Sequence, residues 1–333
     1  MLRAEQQGGA VTALHPQVQA LVDRFAASGR KPSYLGTVEQ ARENSSRMKA
    51  ALGPPLPMAR VSDFAIPGRD QLIAARLCVP HGQLQALLVY SHGGGWILGS
   101  IDDGHTAATH LADATRCAVL SIDYRLSPEH RFPAALHDVI DAVVWASRHR
   151  ELLGIGELPL VIAGESAGAN LSAAAASEIS RRDPHLLAAS VLVCPVMDAA
   201  RDTPSHAEFE HGPLVSSRAV EWYWGHYLAN PADGQSPLAS PLRADSFASL
   251  PPTLVMTAES DPLRDEGELY AAKLEVAGVR AITHRCIGMC HGFFSLVNML
   301  DGASQAMHLI GSLLPRLLAN RAATSVDART RAP

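Results

Sequence analysis

The stretch "LPLVIAGESAGANLSAAAASEIS", residues 158–180, runs from an apolar β-like segment through Gly-Glu-Ser-Ala-Gly into an alanine-rich helical pattern. Ser166 stands at the turn between the two, with Gly164 and Gly168 two residues away on either side. A nucleophile on such a strand–turn–helix has a strained backbone, and the glycines omit Cβ atoms that would collide with the adjoining elements. The pattern therefore favours a reactive serine over the alternative that Ser166 is a simple helix N-cap.

Apolar β-like segments and helical patterns alternate from about residue 84 to the C-terminus. The strand candidates cover residues 85–91, 117–123, 158–164, 189–195, 252–258 and 281–287. The helix candidates cover residues 133–150, 166–182, 263–277 and 294–318. Several strand candidates are apolar almost throughout, as strands covered on both faces are. The alternation predicts an α/β fold with a mostly parallel sheet, and segments 61–67 and 72–80 predict an antiparallel pair at its edge.

Two segments do not follow this alternation. Residues 1–50 show amphipathic helical patterns and lead into the proline-rich sequence GPPLPM. Residues 199–245 separate two strands, and a structureless loop of that length is unusual in a compact domain. We therefore predict a helical cap built from both segments, above a catalytic core formed by residues 51–198 and 246–322. Residues 323–333 are predicted to be a flexible tail.

The composition is that of an ordinary soluble globular protein. Of the 333 residues 47% are hydrophobic and 18% are charged, with a formal net charge of −5. A nucleic-acid partner would favour a basic surface, so we expect none. Polar residues interrupt every apolar run near the N-terminus, and no run is long enough for a membrane span. These observations predict a cytoplasmic protein without stable membrane association.

The five cysteines are an odd number spread thinly along the chain, which favours reduced buried thiols over a disulfide framework. Two of them lie in RCIGMCHGF, whose C-x3-C-H spacing is one residue too long for a haem attachment signature. A second ligand pair with zinc-site spacing is missing from the sequence. We therefore expect no metal and no haem.

A serine hydroxyl is a weak nucleophile and needs a general base with a carboxylate that orients it. Asp261 follows the strand candidate 252–258, and His291 follows the last strand candidate. The chain order is thus serine, acid, histidine, and both residues lie beyond the carboxyl ends of strands, where active sites of open α/β sheets form. For the acid we favour Asp261. The alternatives are Asp198, Asp265 and Glu259, of which Asp198 is the strongest because it also follows a strand candidate.

The sequence YSHGGGWILGS places three glycines, Gly93, Gly94 and Gly95, directly after a strand candidate. Successive glycines let backbone N–H groups converge on the oxygen of a tetrahedral intermediate. A loop of this type lies opposite the nucleophile in lipases and esterases, and the N–H of Ala167 should complete the oxyanion hole. We expect His92 to stabilise the loop by hydrogen bonding rather than to act as a catalyst.

Together these motifs resemble the hormone-sensitive-lipase-like family of α/β-hydrolases, in its bacterial esterase branch. The resemblance extends over about residues 85–295 and includes HGGGW, DYRLSPEHRFPAAL, DPLRDEG and GMCHGF in the expected order. It implies an α/β-hydrolase fold with a core sheet of about eight strands, a helical cap, and hydrolysis of short-acyl esters without metal or cofactor. It also implies the triad Ser166, Asp261 and His291 and an oxyanion hole formed by Gly94, Gly95 and Ala167.

One letter departs from the family pattern, because the common elbow is G-D-S-A-G and this chain has Glu165 in place of the aspartate. A longer acid can change the contacts beneath the elbow or the entrance beside it. The sequence GESAG is also similar to that of cholinesterase-type carboxylesterases, which are much longer and use glutamate as the triad acid. The chain length and the HGGG and DPLRDEG motifs argue against that class.

We expect a serine carboxylic-ester hydrolase that acts on small-molecule esters with short to medium acyl groups. Hydrolysis of amides, formamides or lactones stays open, because the same triad serves any acyl transfer. A non-catalytic ligand receptor on the same fold, similar to the plant gibberellin receptors, is disfavoured because those lack the histidine. Trp96, Trp222 and Trp224 are candidates for lining the substrate pocket. A homodimer through the sheet edge is expected by resemblance alone.

Overall fold

The computed structural model describes residues 13–29, 31–49 and 52–329, and within them eight strands form one sheet. The strands are β1 (Arg60–Pro67), β2 (Leu72–Val79), β3 (Leu87–Ser91), β4 (Ala118–Ile122), β5 (Leu160–Glu165), β6 (Ala189–Val193), β7 (Thr253–Ser260) and β8 (Ala281–Cys290). Their order is β1-β2-β4-β3-β5-β6-β7-β8; β2 runs antiparallel to β1 and β4, and the other pairs are parallel. The predicted mostly parallel sheet with an antiparallel edge pair is confirmed.

Helices cover both faces of this sheet. They are α1 (Pro16–Ala27), α2 (Val38–Lys49), α3 (His105–Thr115), α4 (Ala134–Arg148), α5 (Ala167–Arg182), α6 (Pro204–Glu208), α7 (Ser217–Tyr227), α8 (Arg264–Val276) and α9 (Asp301–Arg329). Helices α4, α5 and α8 share one apolar core with the sheet, and α1, α3 and α9 share the other. Every residue of β3 to β6 is buried, which explains why these strands are apolar without alternation.

Two helices differ from the sequence prediction. Helix α3 is absent from the sequence prediction; it begins after Gly104 without a side-chain cap and contains three threonines. Most of its residues are buried, so its sequence lacks the alternation of polar and apolar faces that marks a surface helix. Helix α9 begins at Asp301 and ends at Arg329, later at both ends than the helix candidate 294–318. The flexible tail at residues 323–333 stays a prediction, and residues 330–333 lie outside the described part.

The 199–245 segment contains α6, α7 and two 3-10 turns, Pro231–Gln235 and Pro241–Arg243. Helix α2 lies beside the glycine loop that follows β3, and its Arg42 binds Glu129 through two contacts of 2.6 and 2.7 Å. The same guanidinium donates to the carbonyl oxygens of Ile97 and Ser127, each at 3.0 Å. Helix α1 instead packs against β8 and α9. The assignment of residues 1–50 to the cap stays a prediction.

All five cysteines fall within the described residues, and each is buried and unpaired, as predicted. Within that same part of the chain, none of the helices combines the length and the apolar character that crossing a bilayer requires.

Candidate active site

Ser166 lies at the sharp turn between β5 and α5, with φ of 55° and ψ of −118°. A φ in this range is strained for a residue with a side chain. A Cβ on Gly164 would lie 2.3 Å from the backbone of Gly168, and a Cβ on Gly168 would lie 2.1 Å from the carbonyl oxygen of Ser91. The predicted reason for the two glycines is therefore confirmed, since the turn packs too closely for any side chain there.

Ser166 occupies the N-cap position of α5. Within the described residues, however, its hydroxyl makes no capping hydrogen bond to this helix. It lies instead 2.9 Å from Nε2 of His291. The backbone N–H of Ser166 donates to the carbonyl oxygen of Val193 at 2.8 Å, which ties the turn to the adjacent strand β6. The serine thus has the position of a cap and the hydrogen bonding of an activated hydroxyl.

His291 also contacts Asp261, with 2.8 Å between Nδ1 and Oδ2. The other carboxylate oxygen of Asp261 accepts from the backbone N–H of Leu263 at 2.8 Å, which fixes the orientation of the acid. Asp261 follows β7 and His291 follows β8, so the parallel order of these strands brings both to the sheet edge at which Ser166 lies. All three side chains are buried, and Asp261 is fully so.

The three alternative acids bind elsewhere. Asp198 pairs with Arg243 at 2.8 Å, and Asp265 pairs with Arg264 at 2.8 Å. Glu259 accepts the backbone N–H of Gly288 at 2.7 Å. Of the four carboxylates considered from the sequence, Asp261 is therefore the one that the fold brings to His291.

The environment of His291 acts on its charge in two opposite ways. Burial by itself disfavours the protonated ring, but the charge and hydrogen bond of Asp261, together with the charge of Glu165, outweigh it. The net result is a pKa of His291 above its ordinary value. The ring is therefore a stronger base than a free imidazole, which suits the removal of a proton from Ser166.

The glycine loop faces Ser166 across the site. Gly94 has φ of 123°, and a Cβ there would lie 2.1 Å from the carbonyl oxygen of Leu98. Gly95 also has a positive φ of 61°. Ala167 is the first residue of α5, so its N–H has no partner within the helix and points toward the turn. At Gly94 and Gly95 the loop therefore has a backbone conformation that glycine adopts readily.

His92 stabilises this loop from below. Its Nδ1 lies 2.7 Å from the carbonyl oxygen of Gly93, to which it donates, and its ring stacks on Tyr124 with centroids 4.4 Å apart. The Tyr124 hydroxyl donates to the carbonyl oxygen of His92 at 2.8 Å. Burial lowers the pKa of His92, so the ring is neutral.

A cavity of about 240 Å³ opens over Ser166 and His291 and is lined by Gly93, Gly94 and Gly95 on one side. Its apolar lining includes Val196, Val215, Val220, Tyr223, Leu263 and Leu296. Ser45 of α2 also reaches it, so the N-terminal helix and the cap segment both contribute to the wall. The mixture of apolar walls and few polar groups is typical of a small-molecule site.

Of the three tryptophans proposed for the substrate pocket, Trp96 lines this cavity, and Trp222 and Trp224 lie outside its lining. Trp96 is part of the lining, with its ring stacked on Tyr227 at 4.1 Å. Trp224 is buried against Trp96, and Trp222 lies on a separate surface groove beside Tyr34. Successive residues of a helix point about 100° apart, so only the middle residue of the aromatic run, Tyr223, faces the cavity.

Two further lining residues were not assigned from the sequence. Glu165 directly precedes Ser166, is 3% exposed, and accepts a hydrogen bond from the hydroxyl of Ser295. Burial raises the pKa of Glu165. Glu165 could have been found from the sequence, because it replaces the aspartate that is usual in the elbow motif. Ser295 lies 130 positions after Glu165, and no local sequence pattern marks it.

Among the described residues, one group of metal-ligand types, Cys194, Asp261 and His291, has its ligand atoms within 4.8 Å of one another. Asp261 and His291 already bind each other in this group. Burial raises the pKa of the Cys194 thiol well above its ordinary value, so the thiolate that a metal requires is disfavoured. The arrangement suits a triad packed against a neutral thiol better than it suits a metal centre.

Comparisons with known proteins show which proteins this chain is similar to. A family model described as an alpha/beta hydrolase fold matches residues 88–295. An arylesterase of Saccharolobus solfataricus is 34% identical over 278 residues, 83% of this chain and 90% of the relative. An ethyl acetate hydrolase of Pseudomonas putida is 33% identical over 264 residues, 78% of this chain and 83% of the relative. The solved structure of a hyperthermophilic esterase from Pyrobaculum calidifontis is 35% identical, with a TM-score of 0.85 over 93% of this chain and 99% of that one.

Proposed function

Because the chain belongs to the hormone-sensitive-lipase-like family of α/β-hydrolases, we propose that it is a serine carboxylesterase with the triad Ser166, His291 and Asp261. The observation that carries the proposal is the continuous chain of contacts from Asp261 through His291 to Ser166, at 2.8 and 2.9 Å. The names of the relatives, an arylesterase and an ethyl acetate hydrolase, support ester hydrolysis as the reaction.

In the proposed mechanism, His291 removes the proton of Ser166 as the serine oxygen attacks the ester carbonyl. Asp261 holds the ring in the tautomer that leaves Nε2 free to accept this proton. The backbone N–H groups of Gly94, Gly95 and Ala167 stabilise the oxyanion of the tetrahedral intermediate. His291 then gives its proton to the departing alcohol, which leaves an acyl enzyme. A water molecule, activated by the same ring, releases the acid and restores Ser166.

The size of the cavity supports small substrates. Its volume of about 240 Å³ lies below the range of about 300–1,000 Å³ for pockets that bind drug-sized ligands. The walls beyond the catalytic groups are mostly apolar, which favours short alkyl or aryl groups over charged ones. We therefore propose small-molecule esters with short to medium acyl groups as the substrate class.

The test is hydrolysis of p-nitrophenyl esters from acetate to decanoate by the purified protein and by Ser166→Ala. We expect the wild type to prefer the shorter esters and Ser166→Ala to lose at least about 1,000-fold in kcat without a change of thermal midpoint. Ser312→Ala, an exposed serine on α9, is the matched control and should retain full activity. A folded Ser166→Ala protein with near wild-type activity would refute the assignment.

The leaving group is tested with the same protein. A panel of esters, aryl formamides, anilides and lactones is compared by kcat/KM, which measures differential transition-state stabilisation. We expect esters to exceed the other classes by at least about tenfold. If a formamide or lactone had a higher kcat/KM than the best ester, the triad mechanism would stand and the proposed substrate class would be wrong.

A further inference from the structure

The carboxylate of Glu165 forms a contact between the nucleophile turn and the histidine loop. Its Oε2 accepts the hydroxyl of Ser295, and the backbone N–H of Ser295 donates to the same carboxylate. Glu165 is the last residue of β5 and pairs with Val193 of β6, so its backbone is fixed within the sheet. One end of the contact therefore lies on rigid structure immediately before Ser166.

The other end of the contact is just as rigid. Ser295 ends a 3-10 turn, Phe293–Ser295, that begins two residues after His291. Phe293 and Phe294 within this turn are almost completely buried, at 0% and 1% exposure. A displacement of Ser295 would therefore carry His291 with it, because the turn between them cannot deform without moving two packed aromatic rings.

The oxyanion loop adjoins the same carboxylate. A Cβ on Gly93 would lie 3.6 Å from Oε2 of Glu165 and 3.5 Å from Cβ of Ser166, both ordinary contact distances. The three loops that carry the serine, the histidine and the oxyanion donors thus meet at Glu165. Within the triad, the serine turn and the histidine loop are linked directly by the hydrogen bond between Ser166 and His291 alone.

We propose, on the basis of the proposed esterase function, that Glu165 is a positioning residue whose contact with Ser295 holds His291 at reacting distance from Ser166. The side-chain length is the essential property. The aspartate that is common at this position in the family is one methylene shorter, and from the backbone position of Glu165 it would fall short of Ser295. Glutamine has the same length as glutamate, and its carbonyl oxygen can accept both donors of Ser295.

The experiment compares Glu165→Asp, Glu165→Gln, Ser295→Ala and the double variant Glu165→Asp/Ser295→Ala with the wild type. Misplacement of a catalytic group by about 1 Å can cost about 100-fold. We expect Glu165→Asp to lower kcat by about 10- to 100-fold with KM within about threefold. Glu165→Gln should lose clearly less, and Ser295→Ala, which retains the backbone donor, should lose an intermediate amount. The double variant should be no worse than Glu165→Asp, because both changes remove one contact.

Glu275→Asp, an exposed glutamate on α8, is the matched control for the loss of a methylene. Thermal midpoints are measured for every variant, and Ser295→Ala decides the question if Glu165→Asp does not fold. Wild-type kcat in both Glu165→Asp and Ser295→Ala, or additive losses in the double variant, would overturn the positioning role while the esterase assignment stands. A loss of kcat that merely follows the fall in thermal midpoint would also overturn it. A wild type without ester hydrolysis would refute both proposals together.

Discussion

The ring of Tyr223 lies directly against the backbone of Gly95, so that a Cβ on Gly95 would be only 2.3 Å from Cδ1 of the tyrosine. Tyr223 belongs to the cap segment, and its hydroxyl is hydrogen-bonded to Ser33 of the N-terminal region. One side chain therefore links the cap, the N-terminal region and the oxyanion loop, and it closes one side of the cavity over Ser166.

Substitution Tyr223→Ala should widen the cavity and change its selectivity for substrate length. Filling or emptying an apolar pocket by a few carbon atoms changes discrimination by about tenfold or more. We therefore expect the ratio of kcat/KM for octanoate to acetate esters to rise by about tenfold, measured with two homologous series that vary the acyl or the alcohol chain. Trp222→Ala, one position away but outside the lining, is the control. An unchanged ratio in Tyr223→Ala would show that the ring does not limit the substrate.

Substitution Gly94→Ala should disable the oxyanion loop. The new Cβ would lie 2.1 Å from the carbonyl oxygen of Leu98, so the loop must shift and carry its N–H groups away. Loss of an oxyanion donor costs about 100- to 1,000-fold in kcat, and we expect a loss in this range. Gly82→Ala is the control, since Gly82 also has a positive φ, of 92°, but open space around it. If both variants lose activity equally, backbone strain rather than loop displacement is the cause.

The pH dependence of kcat/KM should report the raised pKa of His291. The ring must be neutral to accept a proton, so activity disappears as the pH falls through the pKa of His291. Because that pKa is raised, the acidic limb should lie above the ordinary histidine value of about 6.5. Asp261→Asn removes the charge that favours protonation, so the limb should move to lower pH while kcat falls by about 10,000-fold.

Asp198→Asn serves as the control in this pH experiment, because Asp198 is the alternative acid and pairs with Arg243. Its acidic limb should coincide with that of the wild type. A limb that moves in Asp198→Asn and stays in Asp261→Asn would reverse the assignment of the acid.

Substitution Arg42→Met should loosen α2 from the core. Arg42 binds Glu129 through two contacts and also donates to two backbone carbonyl groups, which anchors the helix near the oxyanion loop. The pair is partly exposed, so we expect a local destabilisation of about 1 kcal/mol, or roughly fivefold faster amide exchange in α2. Hydrogen-exchange mass spectrometry measures this directly.

The control for the arginine is Arg47→Met on the same helix, whose partner Glu43 lies one turn away and not on the core. Amide exchange in α2 that rises equally in both variants would contradict an anchoring role for Arg42. KM should rise in Arg42→Met and not in Arg47→Met, because Ser45 of α2 lines the cavity.

Much of the fold follows from local sequence. The apolar runs of β3 to β6 predict strands because a strand covered on both faces needs no polar side, and these strands are fully buried. The sharp turn at Ser166 is also predictable from local sequence, because a turn this tight needs residues without a Cβ at positions 164 and 168. Helix α3 was missed because its burial on most sides removes the polar face that a pattern requires.

The candidate site follows partly from the sequence and partly from the tertiary structure. The sequence predicted that Ser166, Asp261 and His291 meet, because residues that follow parallel strands lie at the same edge of the sheet. The sequence favoured Asp261 over Asp198 although both follow a strand, and the packed structure shows which of the two carboxylates reaches the histidine. The orientation of a side chain depends on helix phase, which is why Tyr223 and not its two tryptophan neighbours lines the cavity.

The sequence by itself indicated the alternation of elements, the sharp turn, the glycine loop and the proposed base, because each of these predictions rests on residues close together in the chain. The tertiary structure alone decided that Glu165 meets Ser295, 130 positions away. That contact exists because β5 and the loop after β8 end at the same edge of the sheet, and its length fits glutamate. Local chemistry therefore specifies the parts of this site, and the packing of distant loops sets the distances between them.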